Sequence, residues 1–540
     1  MAEKTEAPAG QGEGDQASET VQVSTRNDTI SPPQAQGPEA PLNLEPAPSP
    51  GGADVDGGRP ETSSTDVSKA YRSAQVGRRL STQPHSTDLG NAHRLVAMFG
   101  HLLRYCPQHC AWLYWNEQRW RRDELGQINQ FAKSIVRDMY LRAFRQENEE
   151  AREKLVRWAL QSEYVGRIAA MIELAKTEPG IPVAPRELDR EPMLLGVENG
   201  VVELHTGELR PAKREDLITK QAGVAFDPNA ECPKWTEFLQ TIFDGDKDLI
   251  AYHQRLVGYC LTGLTSEQFL FIPWGQGANG KSVLWETIKA LLGDYAATTP
   301  PEMLMKRRNP GGPSPDLARL QGVRLSLACE PEEGSLLAES IVKRITGQDT
   351  IACRELYGKI FEYQPQFKTV LITNHKPIIR GDDHAIWRRI QLIPHPVTIP
   401  PEMQDKSLFK KLRAELPGIL NWALKGLRAY LKDGLAPPSC VDEAVREYRS
   451  EMDILGDWIA DCAIEEPDCR TLVRDLYRSY QGWCKESGHH PFSKKRFSQK
   501  LDERGFERSK TGEGRNFIGL RLIAETVKLP IALVKSDDTR

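Results

Sequence analysis

The chain has 540 residues, a formal net charge of −4 and a hydrophobic fraction of 39 %, which suits three or four domains with cores of their own. Its longest apolar runs are only strand length and its start lacks a basic-then-apolar signal pattern, so we expect a soluble, intracellular protein with no membrane partner. Its ten cysteines are scattered without paired spacing, which argues against a disulfide framework.

The negative charge is concentrated at the amino terminus. Residues 1–66 carry twelve acids and three bases, a balance of −9, so the remaining 474 residues sum to +5. Residues 1–85 are also rich in Pro, Gly, Ser and Ala, a composition that cannot bury enough apolar surface to offset chain entropy. We therefore predict a disordered acidic tail, either solvated or holding a partner-binding motif, ahead of a mildly basic body.

Residues 86–235 are predicted to form a domain of helices and hairpins. Thr87 or Asp88 could cap its first helix. The segment AWLYWNEQRWRRD predicts a hairpin that turns at 116–118, helical patterns follow from 128 to 176, and NGVVELHTGELRP predicts a second hairpin.

Two residue groups in this domain each allow two interpretations. One is either a base-stacking platform or part of the core, and packing is favoured: Trp112, Trp115 and Trp120. The other is either half of a zinc site or a set of buried thiols in a helix, and burial is favoured because no second ligand pair stands out: Cys106, His109 and Cys110.

The segment 236–405 contains a phosphate-loop pattern. FLFIPWGQGANGKSVLWETIKALL predicts a buried strand, a glycine-rich loop and an amphipathic helix, which is the context the pattern requires. Glycines let backbone N–H groups surround phosphates at the positive end of a helix. We predict ATP binding by Gly275, Gln276, Gly277, Ala278, Asn279, Gly280, Lys281 and Ser282. Lys281 would reach the β- and γ-phosphates, and Ser282 would bind magnesium.

An acidic strand follows this loop. VRLSLACEPEEG predicts a strand over 324–329 with Glu330 at its carboxyl end, where an open α/β sheet presents ligands. A carboxylate there can hold magnesium through water and orient the attacking water. Pro331 separates Glu330 from Glu332, so the division of roles between the two acids stays open, and a solvated acidic turn is the alternative.

Two further motifs predict the rest of the catalytic set. KTVLITNHKP predicts a strand that ends at Asn374, whose neutral amide could hydrogen-bond the attacking water. Arg388 and Arg389 follow in WRRI, and an arginine presented to the γ-phosphate of a neighbouring subunit would stabilise transition-state charge. Their alternative is a surface salt bridge.

Nucleic-acid contacts are predicted at two places. Residues 351–354 and 361–364 predict a hairpin with Tyr357 and Lys359 at its tip, which suits gripping a base face and a phosphate backbone in a channel. After a helical connector over 406–455, residues 456–525 show two helices, a basic helix and a hairpin, the order of a winged helix. Lys494, Lys495 and Arg496 on the basic helix are candidate DNA contacts, although a solvated helix would show the same charges. Residues 526–540 are predicted to be a tail.

The order of these motifs resembles that of superfamily 3 helicases, and more closely the C-terminal helicase part of phage and plasmid primases, the family that includes the poxvirus primase-helicase. The resemblance spans roughly 85–525. It is carried by TDLGN and WLYWNEQRW ahead of the motor, then by GxGxNGKS, TNxxP, WRRI and a KxxTGxD element at Lys343, Thr346, Gly347 and Asp349.

This resemblance implies an α/β P-loop fold of the AAA+ type, ATP and magnesium as cofactors, and a homo-hexameric ring that translocates 3′-to-5′ on single-stranded DNA. It also implies that Lys359, with Tyr357, lies on a pore hairpin and that Arg388 or Arg389 acts across the subunit interface. We therefore expect an ATP-dependent replicative DNA helicase of a phage, prophage or plasmid, in the cytoplasm of a bacterial host cell.

One departure from the family pattern concerns primer synthesis. The acidic tail occupies the position of the family's primer-synthesis domain, and no carboxylate pair with a histidine suits nucleotidyl transfer. A separate primase, or host replication proteins, would then be partners. Two alternatives stay open: an ATP-switched, DNA-binding initiator or loader that does not unwind, and the helicase part of a primase-helicase.

Overall fold

The computed structural model describes residues 85–306, 315–355, 360–381, 384–512 and 514–523. The predicted tails therefore lie outside the described residues, apart from position 85, and the domain boundaries stay predictions. Within these ranges, no helix has both the length and the apolar character that crossing a bilayer requires.

The amino-terminal part combines helices with two antiparallel sheets. Helix α1 (Asp88–Phe99) is capped by Thr87, whose hydroxyl accepts a hydrogen bond from the Gly90 N–H at 3.0 Å. It is followed by β1 (Leu103–Cys106), β2 (Ala111–Trp115), β3 (Trp120–Arg122), α2 (Gln127–Phe144), α3 (Glu149–Ser162), α4 (Val165–Ala175), β4 (Leu194–Val197), β5 (Gly200–Glu203) and β6 (Glu208–Arg210). Both predicted hairpins are confirmed, and each gains a preceding strand: the sheets are β1-β2-β3 and β4-β5-β6.

The tryptophan group and the Cys-His-Cys group of this part differ in their burial. Trp112, Trp115 and Trp120 are at most 8 % exposed, which confirms the core interpretation. The expected burial is confirmed for Cys106, but the expected helix is wrong, because Cys106 ends β1 and Cys110 lies exposed in the turn to β2. Among the described residues, no group of three or more metal-ligating side chains is close enough to hold a metal ion.

The central part is an α/β unit built on a parallel sheet, which confirms the coarse fold prediction. Its elements are α5 (Pro233–Ile242), α6 (Lys247–Cys260), β7 (Leu270–Trp274), α7 (Lys281–Leu292), β8 (Ala296–Thr298), α8 (Pro315–Ala318), β9 (Leu325–Cys329), α9 (Glu339–Thr346), β10 (Ile351–Arg354), β11 (Ile360–Tyr363), β12 (Lys368–Ile372), α10 (His384–Trp387) and β13 (Ile390–Pro394). Five parallel strands lie in the order β13-β7-β12-β9-β8, and β10 pairs with β11 as a separate antiparallel hairpin.

The sheet is covered on both faces. Phe271 packs in one core cluster, whereas its neighbours Leu270 and Ile272 pack in another, because successive side chains of a strand point to opposite faces. Both clusters include helical residues, such as Trp285 of α7 in the first and Val342 of α9 in the second. This explains the nearly continuous apolar runs of the central strands, which are typical of buried parallel sheets.

The carboxyl-terminal part is helical and ends in a three-stranded sheet. It comprises α11 (Leu408–Ala414), α12 (Leu416–Asp433), α13 (Ser439–Glu451), α14 (Ile454–Cys462), β14 (Ala463–Leu472), α15 (Val473–Glu486), α16 (Lys494–Glu503), β15 (Arg508–Thr511) and β16 (Gly514–Leu522). Strand β14 was not predicted. Its sequence, AIEEPDCRTL, is mostly exposed and pairs with β16 through an irregularity between Glu466 and Arg470, so it shows no alternation of apolar and polar residues.

Candidate nucleotide-binding and catalytic site

The predicted phosphate loop, the acidic strand end and Asn374 meet at one edge of the parallel sheet. Strand β12 lies between β7 and β9, and all three run in the same direction, so their carboxyl ends share an edge. The Glu330 N–H donates to the Ile372 carbonyl at 2.8 Å. The Trp274 indole N–H donates to the Asn374 carbonyl at 3.2 Å. These bonds fix the strand ends relative to one another.

The loop has a backbone shape that requires glycine at two positions. A Cβ atom at Gly275 would lie 2.5 Å from the backbone carbonyl oxygen of His395, the residue that directly follows β13. Gly280 has φ of +77°, and a Cβ atom there would lie 2.5 Å from a methyl carbon of Ile242. Left-handed backbone costs little only for glycine, so the chain turns sharply between β7 and α7 at these residues.

Lys281 points back into this loop. Its ammonium group donates to the Gly275 carbonyl at 2.8 Å and to the side-chain oxygens of Asn279 and Asn374, each at 3.0 Å. The residue is 4 % exposed. Burial lowers the pKa of Lys281 to about 8, and the negative charge of Glu330 opposes that shift. The loop therefore holds a buried cation whose three hydrogen-bond acceptors are all neutral, an arrangement that favours the approach of an anion.

Backbone donors surround the same place. Among the described residues, no acceptor is found for the N–H groups of Ala278, Asn279 and Gly280. Helix α7 begins at Lys281 directly after them, and the first N–H groups of a helix have no partner within it. Free N–H groups at the positive end of a helix bind phosphate oxygens. The residues of 275–282 thus fit a nucleotide's phosphates, with Ser282 exposed at the start of the helix.

Two buried histidines lie beneath the loop, and no sequence motif indicates them. The imidazole rings of His253 and His395 are 5.7 Å apart between centroids. Burial lowers the pKa of His253 to about 4 and holds the pKa of His395 well below its ordinary value, to which the nearby Lys281 charge adds. Both rings are therefore neutral near pH 7, and they add no positive charge behind the buried ammonium.

The predicted acids lie at the open side of this edge. Glu330 has φ of +49° and an exposed side chain, an uncommon conformation that is often found at functional sites. Glu332 is exposed as well. Glu333 lies 3.9 Å from His375 in the turn after β12, so three acids follow β9 and the assignment of their roles stays a prediction.

The arginine pair is not part of this edge. The Leu270 N–H at the start of β7 donates to the Arg389 carbonyl at 2.7 Å, so Arg388 and Arg389 stand at the amino edge of the sheet. A five-residue strand spans about 16 Å, which separates them from Lys281 within one chain. Arg388 is exposed, and its guanidinium lies 3.4 Å from the Gln268 amide oxygen.

Of the predicted DNA contacts, Tyr357 and Lys359 lie outside the described residues. The base of their hairpin is described, and there Glu355 lies 3.3 Å from His109 and 3.4 Å from Arg122 of the amino-terminal part.

The basic helix α16 shows a different arrangement. Lys494 and Lys495 are exposed at its start, whereas the Arg496 guanidinium donates to the Arg380 carbonyl at 3.2 Å.

Two family models match this chain. The first, described as "D5 N terminal like", covers residues 92–244. The second, described as "Poxvirus D5 protein-like", covers residues 450–516. Both lie in the region over which the sequence resembles the poxvirus-type primase-helicase family, and they confirm that resemblance.

Similar curated proteins come from viruses. "Putative helicase L207/L206" of Acanthamoeba polyphaga mimivirus is 32 % identical over 325 residues, which cover 56 % of this chain and 34 % of that protein. "Putative primase C962R" of African swine fever virus (isolate Tick/Malawi/Lil 20-1/1983) is 24 % identical and covers 55 % and 34 %, respectively. The chain thus spans about a third of the length of these relatives. The apo structure of the NrS-1 C terminal region is 12 % identical, with a TM-score of 0.47, over 82 % of this chain and 100 % of that one.

Proposed function

We propose that this chain, a relative of the poxvirus-type primase-helicases, is an ATP-dependent replicative DNA helicase that translocates on single-stranded DNA as a homo-hexameric ring. The observation that carries the proposal is the contact of Lys281 with Asn374 at 3.0 Å. It joins the residue suited to the nucleotide's phosphates to the residue suited to the attacking water, at the sheet edge where Glu330 also ends its strand.

In this proposal, ATP and magnesium are the cofactors. Residues 275–282 bind the phosphates, Ser282 and Glu330 hold magnesium, and Glu330 or Glu332 orients water together with Asn374. Since Arg388 and Arg389 stand at the opposite edge of the sheet, a neighbouring subunit would have to present one of them. The site is then complete only in an assembly.

The proposed DNA contacts lie on the hairpin tip, Tyr357 and Lys359, and on α16, where Lys494 and Lys495 are more available than Arg496. The order α14, β14, α15, α16, β15, β16 supports a winged-helix assignment for the last part of the chain. Lysines in the first turn of a helix oppose the helix dipole, and a bound phosphate would offset that cost.

The test is to measure ATP hydrolysis by the purified chain with and without single-stranded DNA, and strand separation on a forked duplex. We expect DNA to stimulate hydrolysis and unwinding to depend on ATP. Hydrolysis that is indifferent to single strands, together with duplex binding lost in Lys494→Ala/Lys495→Ala, would instead favour an initiator or loader. Labelled primer synthesis on a template would favour a primase-helicase, whereas its absence fits a separate primase or host replication proteins.

Nucleotide affinity should depend on pH through Lys281. Its pKa of about 8 means that the ammonium is protonated at lower pH and loses its charge as the pH rises through that value. Because phosphate binding favours the charged form, we expect the affinity for ADP to fall between roughly pH 7 and pH 9. Isothermal titration should show this fall in the wild type and in Lys289→Ala, but a flat profile in Lys281→Ala. A flat wild-type profile would contradict the assignment.

A further inference from the structure

A cavity of about 710 Å³ lies between helices α13 and α16, with Trp387 of α10 also in its lining. Helix α13 lines it with Arg446 and Arg449, α16 lines it with Lys500, and Arg504 follows directly after α16. Arg446 and Arg449 are three residues apart, so α13 presents both cations on one face. The volume falls within the range of ligand pockets in proteins.

Positive side chains outnumber negative ones around this cavity. Its lining contains four cations and two acids, Asp453 and Glu503. Asp453 pairs with Arg504 and also accepts a hydrogen bond from the Gly456 N–H at 3.0 Å, which caps α14. Glu503 accepts a hydrogen bond from the Gln499 amide at 2.9 Å. The lining therefore has a surplus of two positive charges.

The two arginine side chains of α13 are only weakly paired. Among the described residues, the Arg449 guanidinium has no hydrogen-bond or ion-pair partner. Arg446 lies 3.8 Å from Glu443, and both side chains are more than half exposed, so the pair contributes little. Across the cavity, Lys500 is only 5 % exposed. The positive charges around the cavity repel the buried Lys500 most, and a bound anion would offset that repulsion.

We propose that this cavity is a binding site for phosphate groups, which Arg446, Arg449 and Lys500 hold. The planar guanidinium group donates in a fork that matches two phosphate oxygens. The phosphate could belong to the backbone of a nucleic-acid strand or to free polyphosphate, and both have the same contact chemistry. Binding of a nucleic-acid backbone rests on the proposed function, because a helicase has to contact its DNA strand and the cavity would add a contact away from the ATPase core.

Helix α13 connects this cavity to the sheet edge that carries Lys281 and Asn374. The Tyr448 hydroxyl donates to the Pro377 carbonyl, and Lys376 pairs with Glu451 at 2.7 Å. Both bonds attach α13 to the turn that follows Asn374. A phosphate bound to the outer face of α13 is therefore one helix away from the residue that contacts Lys281.

The first arm of the test uses the full chain without nucleotide. Anisotropy of a labelled twenty-residue oligothymidylate is measured across a salt series for the wild type and for Arg446→Gln/Arg449→Gln. We expect weaker binding and a slope of log affinity against log salt that is smaller by about 1.4, because each phosphate contact to a single strand contributes about 0.7. Lys425→Gln/Lys432→Gln, which removes two exposed lysines of α12, should leave the slope unchanged.

The second arm uses inorganic pyrophosphate in a Lys281→Ala background, which removes the competing site. Pyrophosphate should raise the melting temperature, and adding the two arginine substitutions should abolish the shift. Loss of this shift with an unchanged DNA slope would assign the site to free polyphosphate. If both the slope and the shift survive the substitutions, the proposal is wrong. Neither arm depends on ATP hydrolysis. If both the slope and the shift survive while DNA still stimulates hydrolysis, the phosphate site is refuted and the proposed function is not.

Discussion

Replacing Lys281 with alanine is expected to reduce ATP hydrolysis by at least about 10²- to 10³-fold, the cost of removing one preorganised charge-stabilising donor. The wild-type ammonium is buried and contacts Gly275, Asn279 and Asn374, so no solvated side chain can take its place. Strand separation should disappear with hydrolysis. The measurement is steady-state phosphate release with saturating single-stranded DNA, followed by unwinding of a forked duplex.

Lys289→Ala is the matched control for this prediction. Lys289 lies on the same helix, α7, and its ammonium group contacts Glu286 at 3.2 Å near the surface. An exposed pair of this kind contributes little to stability, so the control should hydrolyse ATP like the wild type. Unwinding that survives Lys281→Ala would refute the motor assignment. If both variants lost hydrolysis equally, the substitutions would have disrupted helix α7, and the loss could not be assigned to the phosphate contact of Lys281.

The phosphate loop and the strand ends beside it could be predicted because the sequence patterns that indicate them are local. A buried strand, a loop with glycines at 275 and 280 and a following helix lie next to one another in the sequence, and parallel strands carry their ends to a common edge. The strands β9, β10, β11 and β12 were found for the same reason: their apolar residues and turn signals lie within short segments. The roles of the edge residues in hydrolysis are still predictions.

Contacts between distant segments could not be predicted in this way. Nothing around His395 in IPHP indicates that its carbonyl oxygen blocks a side chain at residue 275. Likewise, the charges of α16 predicted one solvated or DNA-facing surface, yet Lys500 is buried and Arg496 contacts the Arg380 carbonyl. Helical spacing shows which residues share a face, but tertiary packing decides what that face meets.

Mixing two inactive variants should restore hydrolysis if an arginine acts between subunits. In Lys281→Ala the arginine pair is intact, and in Arg388→Ala/Arg389→Ala the phosphate loop is intact. Each alone should lose activity, because one lacks the phosphate contact and the other lacks the charge that stabilises the transition state. The pair stands about 16 Å from the loop in the same chain, one strand length away. A neighbouring subunit could therefore present an arginine to a phosphate loop whose own arginine pair is too distant.

Subunits that mix at random in equal amounts would place an intact loop against an intact arginine pair at about a quarter of the interfaces, so we expect hydrolysis near a quarter of the wild-type rate if interfaces act independently. Phosphate release should be measured after the variants are mixed and allowed to exchange. Arg413→Ala, which changes an exposed arginine of α11, should retain full activity alone. No recovery from a mixture that co-assembles would place both arginines outside the site, as residues that only support the start of β13.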